Sequence, residues 1–119
     1  MTTAATRREK LILATFTRNP DWDKLRRNHL KMHPECAVCD AVKRDNVAHH
    51  IKPVQWYPKL EMEPSNLITL CERGKLGANH HLFIGHLQDY RSYNEHVVED
   101  AATWNERIKA RPKWKSLVR

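Results

Sequence analysis

The chain has 119 residues, three cysteines and a formal net charge of +7, from 21 Lys/Arg against 14 Asp/Glu. No apolar run approaches the roughly 20 residues of a membrane span, and the opening MTTAATRREK lacks the apolar core of a secretion signal, which predicts a soluble, cytoplasmic protein with no membrane partner. The length fits a single domain over residues 1–119, large enough for a small core but close to the size at which a metal or disulfide helps; in a reducing compartment a Cys pair then points to metal.

Charge is unevenly spread. Residues 1–31 carry eight Lys/Arg against three acids, residues 105–119 carry six against one, and the stretch between carries seven against ten. Basic ends attract phosphate whatever its sequence. They read either as arms that grip a nucleic-acid backbone or as solvated termini that only keep a small protein in solution.

In chain order, REKLILATF is a candidate first helix. DWDKLRRNHLKMHP then places Trp22, Leu25, His29 and Met32 at helical spacing, starting at an Asp suited to N-capping and stopping at Pro34. Asn46 to His50 reads as a short strand, and the alternation of a strand sends His49 and His50 to opposite faces. A loop with Pro53, Pro58 and Pro64 leads to a second strand, Asn66 to Leu70. After Cys71 and the polar stretch ERGKLGAN, HHLFIGHLQDY suits one or two helical turns. Val97, Ala101, Trp104 and Ile108 repeat at helical intervals and predict a helix ending before Pro112, followed by the basic tail KWKSLVR. Trp22 and Trp104 lie on apolar stripes and are expected in the core. Trp56 and Tyr57 either stack on a nucleic acid or pack beneath their loop, and His29 and His96 read as structural or solvent-exposed.

Strand, loop, strand and helical turn in so short a span cannot bury a core unaided, which points to zinc. Cys36-Ala-Val-Cys39 has the spacing that lets two thiolates on one tight turn bind the same tetrahedral ion, and Cys71 offers a third. His80 is the first choice for the fourth ligand, with His33 the weaker alternative. The competing reading is three reduced cysteines buried as small apolar side chains.

These ligands leave His49, His50, Asn66, His81 and His86 unexplained. AHHIKPV, EPSNLITLC and NHHLFIGH together resemble the motif of the HNH endonucleases: a His pair or Asp-His on the first strand, an Asn at the loop into the second, and a His on the helix. The placement of Cys36, Cys39 and Cys71 resembles the zinc-stapled branch of that family. The likeness covers about residues 22–95 and is similar to the small, free-standing HNH proteins of bacteriophages and prophages.

The resemblance implies an α+β fold: a small ββα-metal core with flanking N- and C-terminal helices and one structural Zn²⁺. It implies hydrolysis of double-stranded DNA, by nicking or double-strand cutting, with Mg²⁺, Mn²⁺, Ni²⁺ or another divalent ion, leaving 5′-phosphate and 3′-hydroxyl ends. The setting it implies is a bacterial host cell, as a monomer or weak dimer, alongside the terminase that packages phage DNA. His50 would be the general base, a role suited to an imidazole that is neutral near pH 7. His49, where the family more often has Asp, would be the first ligand of the catalytic metal, His81 the second and His86 a third. The family usually has Cys where this chain has His80, so the roles of His80 and His81 are open to exchange. The five-residue step from His81 leaves His86 as a ligand, a phosphate contact or a helix cap. Asn66 would tie the loop to the first strand and orient the base. Lys52, Lys75 and Arg91 would contact phosphate. The alternative is a non-catalytic zinc module that binds nucleic acid or a protein partner.

Overall fold

The computed structural model describes residues 18–73 and 78–110. The helix expected around REKLILATF, the tail KWKSLVR and Lys75 lie outside the described residues. The first helix, α1, spans Trp22–Met32. Its start is organised by Asn19, whose side chain accepts from the Asp21 N–H at 2.8 Å while its carbonyl accepts from Trp22 N–H at 3.0 Å. Asp21 holds the N-cap position without a capping side-chain hydrogen bond. The helix stops before Pro34, whose ring disfavours helical geometry in the residue preceding it.

Two four-residue strands follow, β1 (Val47–His50) and β2 (Leu67–Leu70), paired antiparallel with His49 opposite Ile68 and His50 opposite Leu67. Each begins one residue later than the sequence predicts, because both leading asparagines are used elsewhere. Asn46 turns its amide onto the carbonyls of Pro34 and Ala41, at 2.9 and 2.8 Å. Asn66 closes a short 3₁₀ turn, Pro64–Asn66, and a second such turn, Pro58–Leu60, sits earlier in the same loop. Beyond β2, one π-helical turn covers His81–Gly85, and α2 spans Val97–Ala110. The result is a small α+β fold with a two-stranded antiparallel sheet. Among the described residues, no helix is long and apolar enough to cross a membrane.

The core is made of small side chains. Cys36, Val38, Cys39, Ala41, Leu70, Cys71, Val97 and Ala101 form its buried cluster, so all three cysteines are core residues. Two four-residue strands do not bury enough apolar surface to stand alone, and the three cysteines pack together at the centre of this cluster. Of α2, only the first turns reach this core: Val97 and Ala101 are buried, whereas Trp104 is 43% exposed and Ile108 36%. Trp104 is therefore not the core residue its periodicity predicts. Its ring lies against the Arg107 guanidinium, 5.3 Å away, and α2 continues beside the Cys36–Cys39 turn through polar contacts, Asn105 to the Val38 carbonyl and the Asp40 carboxylate, both at 3.1 Å. Trp22 is only half-buried, and no residue of α1 is fully buried.

Candidate functional site

The Cys36–Cys39 turn, the residue after β2 and the residue before the π turn converge on one point. The ligand atoms of Cys36, Cys39, Cys71 and His80 all lie within 4.8 Å of one another. The turn carries its own supports: Val38 N–H points to the Cys36 sulfur at 3.4 Å, Cys36 N–H donates to the Ala41 carbonyl at 2.9 Å, and Asp40 takes a left-handed backbone, φ 61°. Asp tolerates that conformation better than most residues. The Cys39 and Cys71 sulfurs are 3.8 Å apart, Cys36 Sγ is 3.8 Å from His80 Nδ1, and Cys71 Sγ is 3.2 Å from the same nitrogen. Ligands about 2.3 Å from a tetrahedral ion are separated by roughly 3.8 Å. The four side chains thus form a cluster that could bind a metal such as zinc. His33, the alternative fourth ligand, is elsewhere: its carbonyl accepts from the Thr69 hydroxyl at 2.6 Å and its ring lies beside that of His29, 5.0 Å between centroids.

The electrostatics of the cluster favour a cation. A hydrogen bond from Cys71, aided by His80, holds the Cys36 thiol well below its ordinary value, and the same bond with burial pushes Cys71 up. Burial also raises Cys39. Buried thiols so close together cannot all ionise without a positive charge among them, which a divalent ion supplies.

A second convergence lies next to the first. His81 and His86 bring their Nε2 atoms to 3.1 Å, and the ring of His49 meets both edge-on at centroid distances of 5.1 and 4.8 Å. The candidate ligand atoms of these three histidines also lie within 4.8 Å of one another. The π turn accounts for the five-residue step. An α-helix turns about 100° per residue and would leave such a pair about 140° apart, whereas the wider π turn, bonded from i to i+5, brings them to one side. Leu87 and Gln88 then take left-handed backbones, φ 53° and 70°, and reverse the chain so that the Ser92 carbonyl reaches His86 Nδ1 at 2.7 Å. A carbonyl only accepts, so His86 donates from Nδ1, which in the neutral ring leaves the lone pair at Nε2.

Two ring nitrogens in this group are buried with no hydrogen-bond partner, His49 Nε2 and His81 Nδ1. Leaving a buried polar atom unsatisfied costs about 1–3 kcal/mol, and a cation among the rings would relieve at least the one on His49. Burial, then the neighbouring imidazoles, lowers His49 to about 3, and burial with His86 lowers His81 to about 4. Both rings are neutral at pH 7, the form that ligates metal. The donor set therefore fits a divalent ion.

His50, on the opposite face of β1, is held apart from this group. Its Nε2 is 3.0 Å from the Glu61 carbonyl and its ring stacks on Trp22, centroids 4.4 Å apart and planes 26° from parallel. Nε2 must donate there, which leaves the lone pair on Nδ1. Asn66, 6% exposed, accepts from Lys52 N–H at 2.9 Å and donates to the carbonyls of Lys52 and Leu60, at 3.1 and 3.2 Å. It ties the loop across the end of β1 and holds the residue next to Glu61.

Comparison with family models, curated proteins and solved structures finds no match.

The remaining expected contacts are at the surface. The Lys52 ammonium sits 5.3 Å from the centre of the Tyr57 ring. Tyr57 is 40% and Trp56 58% exposed, so neither packs fully beneath its loop. Arg91 is paired with Asp89 at 3.2 Å, both exposed. His29 donates to Thr69 Oγ1 at 2.9 Å, and the His96 side chain is 69% exposed.

Four residues that support the site were not singled out for it from sequence: Trp22, Glu61, Gly85 and Asn94. Asn94, 4% exposed, bonds the Ile84 carbonyl at 3.1 Å and the Asp100 carboxylate at 2.8 Å, joining the π turn to α2. Its signal was its place just after HHLFIGH; the others meet their partners only through tertiary structure.

Proposed function

We propose that this chain is a divalent-metal-dependent DNA endonuclease of the HNH type, with a ββα-metal core held by one zinc on Cys36, Cys39, Cys71 and His80. The observation that carries the reading is the convergence of His49, His81 and His86, two of them with buried, unpartnered nitrogens, beside a fourth histidine on the other face of the same strand. A divalent ion held by those three imidazoles would supply Lewis-acid stabilisation of the phosphate charge and of the departing 3′ oxygen. His50 takes the proton of the attacking water at Nδ1, and the Glu61 carbonyl steadies the imidazolium that results. Asn66 keeps that carbonyl in place by fixing the loop. The products are 5′-phosphate and 3′-hydroxyl ends.

The charge of +7, concentrated at the two ends of the chain, suits double-stranded DNA gripped mainly by its phosphates, so binding should fall steeply with salt. A phage or prophage origin and work alongside a terminase are part of this reading through the likeness of the motifs alone. The zinc cluster and basic ends serve equally in a non-catalytic binding module, but such a module gives no use to the three-histidine group.

The test is nicking of supercoiled plasmid with Mg²⁺, Mn²⁺ or Ni²⁺, with and without EDTA. Wild type nicks in a metal-dependent manner, and His50→Ala loses about 10²- to 10⁴-fold, the usual contribution of a positioned base, with zinc content unchanged and the protein still folded. No nicking with any metal would leave the binding module; undiminished cleavage by His50→Ala would remove His50 as the base.

A further inference from the structure

We infer that the start of α1 is part of the catalytic apparatus: Trp22 and Glu61 are positioning residues that hold the His50 ring in one orientation and one tautomer. The kinetic consequence rests on the nuclease reading above; the orientation itself does not.

Two constraints act on the ring in different directions. The Trp22 indole, stacked at 4.4 Å, fixes the plane of the imidazole. The Glu61 carbonyl, at 3.0 Å from Nε2, fixes its rotation within that plane. A ring flipped by half a turn would turn carbon instead of Nε2–H to the carbonyl, so the pair selects the state with Nδ1 unprotonated.

The carbonyl is itself held from two sides. The Asn66 amide bonds the preceding carbonyl, that of Leu60, at 3.2 Å. The Glu61 side chain is buried, with the residue 7% exposed, and its carboxylate accepts from Asn19 N–H at 3.1 and 3.2 Å and pairs with Arg18 at 3.6 Å. Asn19 in turn accepts from Trp22 N–H, and the Arg18 guanidinium lies 5.0 Å from the Trp22 ring. The contacts close a circuit from Asn19 to Trp22, His50, Glu61 and back to Asn19.

Simple packing does not require this arrangement. Burying a carboxylate in an ion pair adds little stability over an apolar replacement, and Trp22 lies outside the buried core cluster. What the circuit does supply is geometry, and it suits a base. When Nδ1 takes a proton, the bond from Nε2–H to the carbonyl strengthens, and the stacked indole faces a cation. The role parallels that of a buried acceptor that orients a catalytic imidazole, here filled by a backbone oxygen and an indole face.

The experiment uses the full zinc-loaded chain with Trp22→Leu, Trp22→Phe and Glu61→Ala. Long-range ¹H–¹⁵N correlation spectra read the His50 tautomer without any need for catalysis, and plasmid nicking with Mn²⁺ gives kcat and KM. Wild type shows a single Nε2–H tautomer. Trp22→Leu and Glu61→Ala show mixed tautomers and lose about 10- to 100-fold in kcat, the scale of a misplaced reacting group, with KM within about twofold. Trp22→Phe, which keeps a stacking face, restores most of both. Should Trp22→Leu fail to fold, Glu61→Ala and the Trp22→Phe comparison carry the same test. A His50 tautomer that stays single in the variants, or a loss of kcat that merely follows the unfolded fraction with no rescue by Phe, overturns the inference. Mixed tautomers in the variants of a protein that never nicks would uphold the positioning and overturn the nuclease reading.

Discussion

Gly85→Ala is a small perturbation with a specific target. A Cβ at Gly85 would lie 3.0 Å from Leu70 Cδ1, 3.2 Å from His49 Cε1 and 3.3 Å from His49 Nε2. Carbon atoms in comfortable contact sit about 3.5–4.0 Å apart, so the neighbours must yield by several tenths of an ångström. Leu70 is fully buried and His49 is 6% exposed, and neither has solvent to move into. Overpacking of this kind costs about 1–3 kcal/mol of stability. The consequence for metal is sharper, because the crowded ring edge carries Nε2, the unpartnered nitrogen that would ligate. Displaced supports of metal ligands lower affinity by about 10- to 100-fold. Calorimetric titration of the zinc-loaded protein with Ni²⁺ reads that loss, while mass spectrometry checks that the thiolate-bound zinc is retained. A Gly85→Ala protein that binds Ni²⁺ as tightly as wild type would refute the argument that Gly85 makes room for His49 as a ligand.

Cys39→Ala should abolish zinc retention and cooperative thermal unfolding together, since the cysteines are at once candidate ligands and core; binding of structural zinc is worth on the order of 10 kcal/mol to small domains. Elemental analysis and circular dichroism check it, and a variant that still melts cooperatively would count against zinc as the staple. The buried histidines also predict acid sensitivity. His49, lowered to about 3 in the folded state, makes no difference above its unfolded value near 6.5, where both states are neutral. Below 6.5 the unfolded chain takes up a proton that the folded chain refuses, so stability falls as pH drops towards about 3, by at most about 1.4 kcal/mol per pH unit. Melting curves of wild type and His49→Asn without divalent metal beyond the zinc should diverge in acid slope, the variant being shallower; parallel slopes would contradict the burial of a neutral His49.

What was legible in the sequence is what is encoded locally. The periodicity of Trp22, Leu25, His29 and Met32 marks α1, the cysteine spacing marks the tight turn, and the strand alternation separates His49 from His50, as the register shows. His80 falls among the cysteines and His81 among the histidines, which spacing alone left open. The failures have a common cause. An apolar stripe does not say how far the core extends, so Trp104 on α2 was expected inside when the small core ends at Ala101. Likewise an α-helical spacing rule cannot anticipate the π turn that brings His86 back to His81. Nothing local marks Glu61, whose burial arises only when the residues leading into α1 and the long loop meet.

His80 and His81 adjoin each other yet belong to different groups, and with metal in both groups this adjacency would couple the two candidate sites. The His81 N–H donates to the Cys71 carbonyl at 2.9 Å, so one residue provides a thiolate to the first group and a backbone anchor to the second. Asn79 steadies the π turn from the same side, its Oδ1 accepting from Leu82 N–H at 2.9 Å. Loss of zinc would release Cys71 and His80 together and with them the peptide that aims His81. Such linkage is reciprocal at equilibrium, typically about 1–3 kcal/mol or 5- to 150-fold in affinity. Mn²⁺, which prefers nitrogen and oxygen ligands to thiolates, should therefore make zinc harder to remove with a zinc-selective chelator. That protection should vanish in His81→Ala, which leaves all four zinc ligands in place. Equal zinc retention with and without Mn²⁺ would mean that the neighbouring histidines act independently, and the staple would then hold the fold without setting the second site.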